Sequence, residues 1–193
     1  THLSFPAILR DGTDIYIYPE NSASGSSMLY KYNSEDDSVS VIKQLSNQPL
    51  TDAIITKIDD SSYIFTTEIP TQNGNKLSIY TALDDMESYK LIQNITLFDN
   101  TARSAGDIFV DNGKIVRPAQ NCNGGYGVGL VFQEIIKDSK GDFVLKELFR
   151  RKPIKNYIGM HTYNQYKGCY VVDLHARRYP YLHKCLQFLK NLM

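Results

Sequence analysis

Apolar and polar residues alternate in short runs along most of this chain, and the runs come in pairs joined by tight polar turns. "FPAILRDGTDIYIYPE" predicts strands over residues 5–10 and 14–18, with Asp11-Gly12 at a hairpin turn. "SMLYKYN" and "SVSVIKQL" predict a second hairpin around "SEDD", giving four antiparallel strands between residues 4 and 45. The same order then returns. "TDAIITKIDDSSYIFTTE" reads as strand, acidic turn, strand, and "KLSIYTALDDMESYKLIQ" supplies the next hairpin. "SAGDIFVDNGKIVRPAQ", with Asn112-Gly113 at its turn, and the longer pair in "YGVGLVFQEIIKDSKGDFVLKELF" make a third unit, and "GMHTYNQYKGCYVVDL" opens a fourth.

Pro6, Asp52, Ala105 and His161 hold matching places and recur about 46 to 56 residues apart, the period of one propeller blade. Four-stranded units at that period predict an all-β fold, a β-propeller, with a β-sandwich or β-barrel as the alternatives. The expected blades cover residues 4–48, 49–100, 101–153 and 154–177. In the tail, Leu182, Leu186, Leu189 and Met193 fall at helical spacing, which predicts a short amphipathic helix over 178–193.

Composition narrows the function more than the fold. The 193 residues carry 21 basic and 21 acidic side chains, so the net charge is zero. A nucleic-acid partner, which needs a basic excess, is not expected. The cluster "RRKPIK" reads as a solvated loop. No apolar run reaches the ~20 residues that span a bilayer, and the start lacks the charged and apolar regions of a signal peptide. Cys122, Cys169 and Cys185 are far apart, without CxxC spacing, which predicts free thiols, no zinc site and a reducing, cytoplasmic setting. Neither metal nor cofactor is expected. "NIT" at Asn94 fits a glycosylation sequon.

The stretch "RPAQNCNGGYGVGL" places Arg117, Gln120, Asn121, Asn123 and Tyr126 among four glycines. Glycines let a backbone approach a ligand closely. Arg117 can fork to a carboxylate, a phosphate or paired hydroxyls. Tyr126 can stack on a sugar, with Asn121 adding hydrogen bonds. The alternative is a wide bend in which Arg117 pairs with a neighbouring acid.

In a propeller the first strand of each blade lines the channel. That would put Asp52, Arg103 and His161 at its mouth, joined from second strands by Glu20, Arg117, Gln120 and Asp173. Asp52 interrupts the apolar strand "PLTDAII" and, with Glu20, is the candidate carboxylate pair for acid/base chemistry. Against this stand a backbone-capping Asp52, an exposed Glu20 and a buried, merely hydrogen-bonded His161. GxSxG and GxxxxGK[ST] are absent, which argues against a serine hydrolase and a P-loop.

"HLSFPAILRDGTDIYIYPE", "PLTDAIITKIDDSSYIF", "ARSAGDIFVDNGKIVRPAQNCNGGYGVGLVFQEI" and "GMHTYN…VVDL" resemble, in order and over residues 1–173, a bacterial and plant propeller domain. That domain stands at the N-terminus of glucosamine inositolphosphorylceramide transferases. Its wider fold is similar to the five-bladed propellers of arabinanase-like and fructosidase-like glycosidases. The resemblance implies a five-bladed type whose first blade, bearing an Ala-Asp-Pro-Phe motif, is missing or incomplete here, since the chain starts at "THLSFP". In the glycosidases that Asp is the general base. They also carry a Glu where this chain has Arg103 in "ARSAG". The resemblance thus implies a domain that binds or processes saccharides or glycoconjugates, by hydrolysis or glycosyl transfer if active. The alternative is a non-catalytic module fused to, or partnered with, a glycan-modifying enzyme.

Overall fold

A computed structural model of the protein describes residues 3–20, 25–46, 50–83, 88–177 and 188–189, without the side chains of residues 83 and 88. The first sheet is β1 (Ser4–Asp11), β2 (Asp14–Glu20), β3 (Ser27–Asn33) and β4 (Ser38–Ser46). The second is β5 (Leu50–Ile58), β6 (Ser61–Glu68), β7 (Lys76–Leu83) and β8 (Ser88–Thr96). The third is β9 (Phe109–Asp111), β10 (Lys114–Asn121), β11 (Gly129–Lys137) and β12 (Phe143–Arg151). These three are four-stranded antiparallel meanders, and β13 (Tyr163–Tyr166) with β14 (Cys169–Val172) forms a two-stranded sheet. The helix expected over 178–193 lies outside the described residues, except for Phe188 and Leu189, which are both exposed.

Turn chemistry explains the hairpins. Asn112-Gly113, Asp59-Asp60 and Lys167-Gly168 each place two consecutive residues at positive φ, the requirement of a tight two-residue connection matched to strand twist. The first hairpin turns one residue later than the sequence suggests, at Gly12-Thr13, with Gly12 at φ +59°. The third sheet departs more from expectation. Ser104 makes only an isolated bridge to Ala119, and β9 shortens to three residues.

The core lies between the sheets, as a radial stack requires. Ala7, Tyr18, Leu29 and Leu45 of the first sheet meet Ile54, Ile55 and Ile64 of the second. On its other face, Phe65, Leu77 and Ile79 meet Ile135 and Phe143 of the third, with Phe143 edge-on to Tyr63 and Phe65. Val116, Leu130 and Phe132 then pack with Met160 ahead of the fourth. The second and third sheets each bury both faces, so side chains at strand ends converge where the sheets meet.

Candidate functional site

Asp52 reaches that meeting point through a bulge. β5 and β6 pair regularly except between Thr51 and Ile54, and Asp52 there has φ +45°. An Asp tolerates the left-handed region better than most residues, and bulges re-aim side chains at functional places. The first sheet repeats the device, with a bulge between Ser4 and Ala7 and Phe5 at φ +47°. Asp52 is consequently 2% exposed although it interrupts an apolar strand.

Around Asp52 the first and third sheets and the segment before Ser104 contribute partners. Arg103 Nε donates to Asp52 Oδ2 at 2.6 Å, and Gln120 Nε2 donates to the same oxygen at 2.7 Å. The Asp52 amide donates to Glu20 Oε2 at 3.3 Å, and the two side-chain carboxyls hydrogen-bond each other. Arg103 Nη2 lies 3.6 Å from Glu20 Oε2, and its Nη1 donates to Asn73 Oδ1 at 2.8 Å. All three guanidinium nitrogens are therefore occupied. Burial pushes Asp52 up to about 7, against the pull of Arg103 and with help from Glu20. Burial draws Arg103 down, but Asp52 outweighs it and holds the guanidinium above its usual value.

The glycine-rich turn closes over this cluster. The Arg103 guanidinium carbon sits 5.0 Å from the centroid of the Tyr126 ring, and Tyr126 meets His161 edge-on at 5.0 Å. Tyr126 is half-exposed. Gly127, at φ +58°, makes that approach possible: a Cβ there would lie 2.5 Å from the Cβ of His161. His161 Nδ1 contacts Asp173 Oδ2, whose other oxygen accepts from the amides of His161 and Thr162 at 2.9 and 2.6 Å. Partial burial raises Asp173, but those two amides prevail and hold its carboxyl below the usual range. Cys122 is buried nearby, and burial pushes its thiol up, which suits a packing role rather than a nucleophile.

Asp52, Glu20, Gln120, Arg103, Tyr126 and His161 thus come together. Arg117 and Asn121 stand apart from them. Arg117 is 0% exposed and pairs with no acid among the described residues. Its guanidinium donates to Gln133 Oε1 (2.6 Å), Thr101 O (3.5 Å), Ser104 Oγ (3.3 Å) and Ala102 O. Asn121 Oδ1 accepts from the amide and side chain of Asn123, bracing the turn. Asn73 and Gln133 were not singled out in the sequence. Gln133 had a signal, because it stands directly across β10–β11 from Arg117. Asn73 had none. Among the described residues no cluster of His, Cys, Asp and Glu could hold a metal ion, and no helix is long and apolar enough to cross a membrane.

Three comparisons bear on this geometry. The family described as glucosamine inositolphosphorylceramide transferase 1, N-terminal, matches residues 1–173. The transferase of that name from Oryza sativa subsp. japonica is 24% identical over 149 residues, 74% of this chain. The one from Arabidopsis thaliana is 24% identical over 156 residues, 77% of this chain. The chain spans about a fifth of each of these relatives. Among solved structures, an exo-β-1,3-galactanase from Phanerochaete chrysosporium, solved with β-1,3-galactotriose, matches 93% of this chain and 45% of its own. It does so at a TM-score of 0.64 and 10% identity. A GH43 β-1,3-galactosidase solved with galactodeoxynojirimycin matches 76% of this chain and 46% of its own, at 0.55 and 14%. The fold is that of these propeller glycosidases, an all-β propeller.

Proposed function

This chain belongs to the family of the N-terminal domain of glucosamine inositolphosphorylceramide transferase 1, and we propose that it is a carbohydrate-binding propeller domain with its site at the Asp52–Arg103–Tyr126 cluster. The observation that carries the reading is Tyr126. Its ring is half-exposed, fixed from one side by Arg103 and from another by His161. A rigid aromatic face beside carboxylates and an imidazole suits the apolar face and hydroxyl rim of a sugar ring. The cluster favours a neutral, hydroxyl-rich ligand over an anion, because the charge of Arg103 already faces the two carboxyls of Asp52 and Glu20. The names of the relatives point to the same ligand class.

Binding is favoured over cleavage by the carboxyl geometry. A glycosidase pair stands about 5 to 9 Å apart, with the scissile bond between. Asp52 and Glu20 hydrogen-bond to each other and share one cation. They hold a site together better than they flank a bond. A second reading, a non-catalytic module accompanying a glycan-modifying enzyme, draws on another place. The β14 edge is exposed throughout, beside a groove of about 490 Å³ lined by Phe132, Phe149, Met160 and Tyr170.

A glycan array followed by calorimetry tests the first reading. The wild-type chain is expected to bind a neutral saccharide, and Tyr126→Ala to weaken it at least about tenfold, the scale of one lost stacking contact, with an unchanged circular dichroism spectrum. No saccharide bound by the folded wild-type chain, or equal binding by Tyr126→Ala, would overturn it.

A further inference from the structure

Arg103 comes from a segment without regular structure, residues 101–103. Such a segment should not hold a guanidinium to within 2.6 Å of a buried carboxylate unless something fixes its backbone. The carbonyls supply that fixing. Thr101 O accepts from Arg117 Nη1 and Gln133 Nε2, both at 3.5 Å, and Ala102 O accepts from Arg117 Nη2. Arg103 O accepts from the Gln120 amide at 2.8 Å, and Ser104 O from Gln120 Nε2 at 2.9 Å. Four successive carbonyls are thus tied to β10 or β11, and Arg117 also takes the hydroxyl of Ser104 at 3.3 Å.

We propose that Arg117 is a positioning residue for Arg103: its buried guanidinium grips residues 101, 102 and 104 and so delivers the Arg103 side chain to Asp52 and Glu20. A planar fork reaches carbonyls on both sides of Arg103 in one fixed plane, which a lysine ammonium cannot do. Burying a cation with no counter-ion is costly. Here the partners are carbonyl and amide oxygens, and burial lowers Arg117 to about 9, still above neutral pH. The proposal builds on the binding reading of the Arg103–Asp52 cluster. Its test reads that cluster's own titration, so a chain that bound no saccharide would leave it standing.

The test is the pH titration of the Asp52 carboxyl by 13C NMR, assigned by its loss in Asp52→Asn. It is run in the wild-type chain, Arg117→Lys, Gln133→Ala and Arg103→Gln. Arg103→Gln removes the cation and is expected to raise the Asp52 midpoint, since an adjacent guanidinium lowers a carboxyl by about 1 to 3 units. Arg117→Lys, with Arg103 intact, is expected to move Asp52 in the same direction by about one unit, and Gln133→Ala by less. A merely structural role would lower the melting temperature and leave Asp52 titrating as in the wild type, and that result in a folded Arg117→Lys or Gln133→Ala overturns the proposal. It is equally overturned if both variants fail to fold while Arg103→Gln folds, because Arg117 would then serve the core independently of Arg103.

Discussion

Two arginines stand at the third sheet, and the protein handles their charges in opposite ways. Arg103 lies against two carboxyls, keeps about a tenth of its side chain in contact with solvent, and is held above its usual value. Arg117 is fully enclosed, faces only carbonyls, a hydroxyl and an amide oxygen, and is pulled down to about 9. The first belongs to a network that changes with protonation. The second belongs to a network that does not change between pH 5 and 8. The difference separates two jobs that look alike in sequence: one cation tunes the site's electrostatics, and the other shapes the backbone that brings it there.

Their loss should therefore differ in pH dependence more than in size. Arg117→Leu strands the carbonyl of Ala102 and the side-chain oxygen of Gln133 and takes a donor from the Ser104 hydroxyl, while the Thr101 carbonyl keeps only Gln133 Nε2. Each buried polar group left unmade costs roughly 1 to 3 kcal/mol, so the loss should be roughly 3 kcal/mol or more and equal at pH 5 and pH 8. Arg103→Gln leaves Asp52 and Glu20 facing each other without a cation. Breaking such a pair should cost roughly 2 to 4 kcal/mol at pH 8. Most of that should return at pH 5, where protonation removes the repulsion. Urea unfolding at the two pH values measures both. A pH-independent cost for Arg103→Gln would erase the distinction drawn here.

These two arginines also mark what could be read from the chain. Alternation of period two and the turn residues made the hairpins and their sheet-by-sheet order legible, since both are local. Asp52 was legible as a polar residue in an apolar strand. The bulge that buries it was not, because it depends on how β5 meets β6. Arg117, beside a glycine-rich turn, reads as a ligand-seeking side chain. Its actual partners lie 13 to 16 residues away in sequence, and half of them are backbone oxygens, which leave no mark in side-chain pattern. Ser104 failed to start a strand for a related reason: its own carbonyl and that of Thr101 accept from the side chains of Gln120 and Gln133. The Asn121–Asn123 brace is a two-residue local pattern and was open to inspection.

The protonation side of the comparison sharpens with Asp52→Asn. Asp52 has its folded value raised to about 7, against about 3.9 in an unfolded chain. Below pH 4 both states hold the proton. Between pH 4 and 7 the unfolded state releases it while the folded state keeps it, so stability falls as pH rises and the full penalty is present above about 7. Asn cannot ionise and should flatten this slope. Melting temperatures at pH 5 and 8 should differ less in Asp52→Asn than in the wild type, and more in Arg103→Gln. A slope unchanged by Asp52→Asn would place the titration elsewhere.

The smallest effect on stability should come from the residue that matters most to the proposed ligand. Tyr126 covers the face of Arg103 but is half-exposed, so Tyr126→Ala loses only a partly solvated cation–π contact and some area. That should cost about 0.5 to 1 kcal/mol. It should slightly steepen the Asp52 slope, as water reaches Arg103 and screens its pull on the carboxyl, and should leave the Arg117 network untouched. A loss above about 2 kcal/mol would show that the ring is anchored as core, since only buried aromatics cost that much on truncation. The ring would then join Arg117 on the scaffold side of the comparison, and the ligand face would have to be sought at His161 and Asp173 alone.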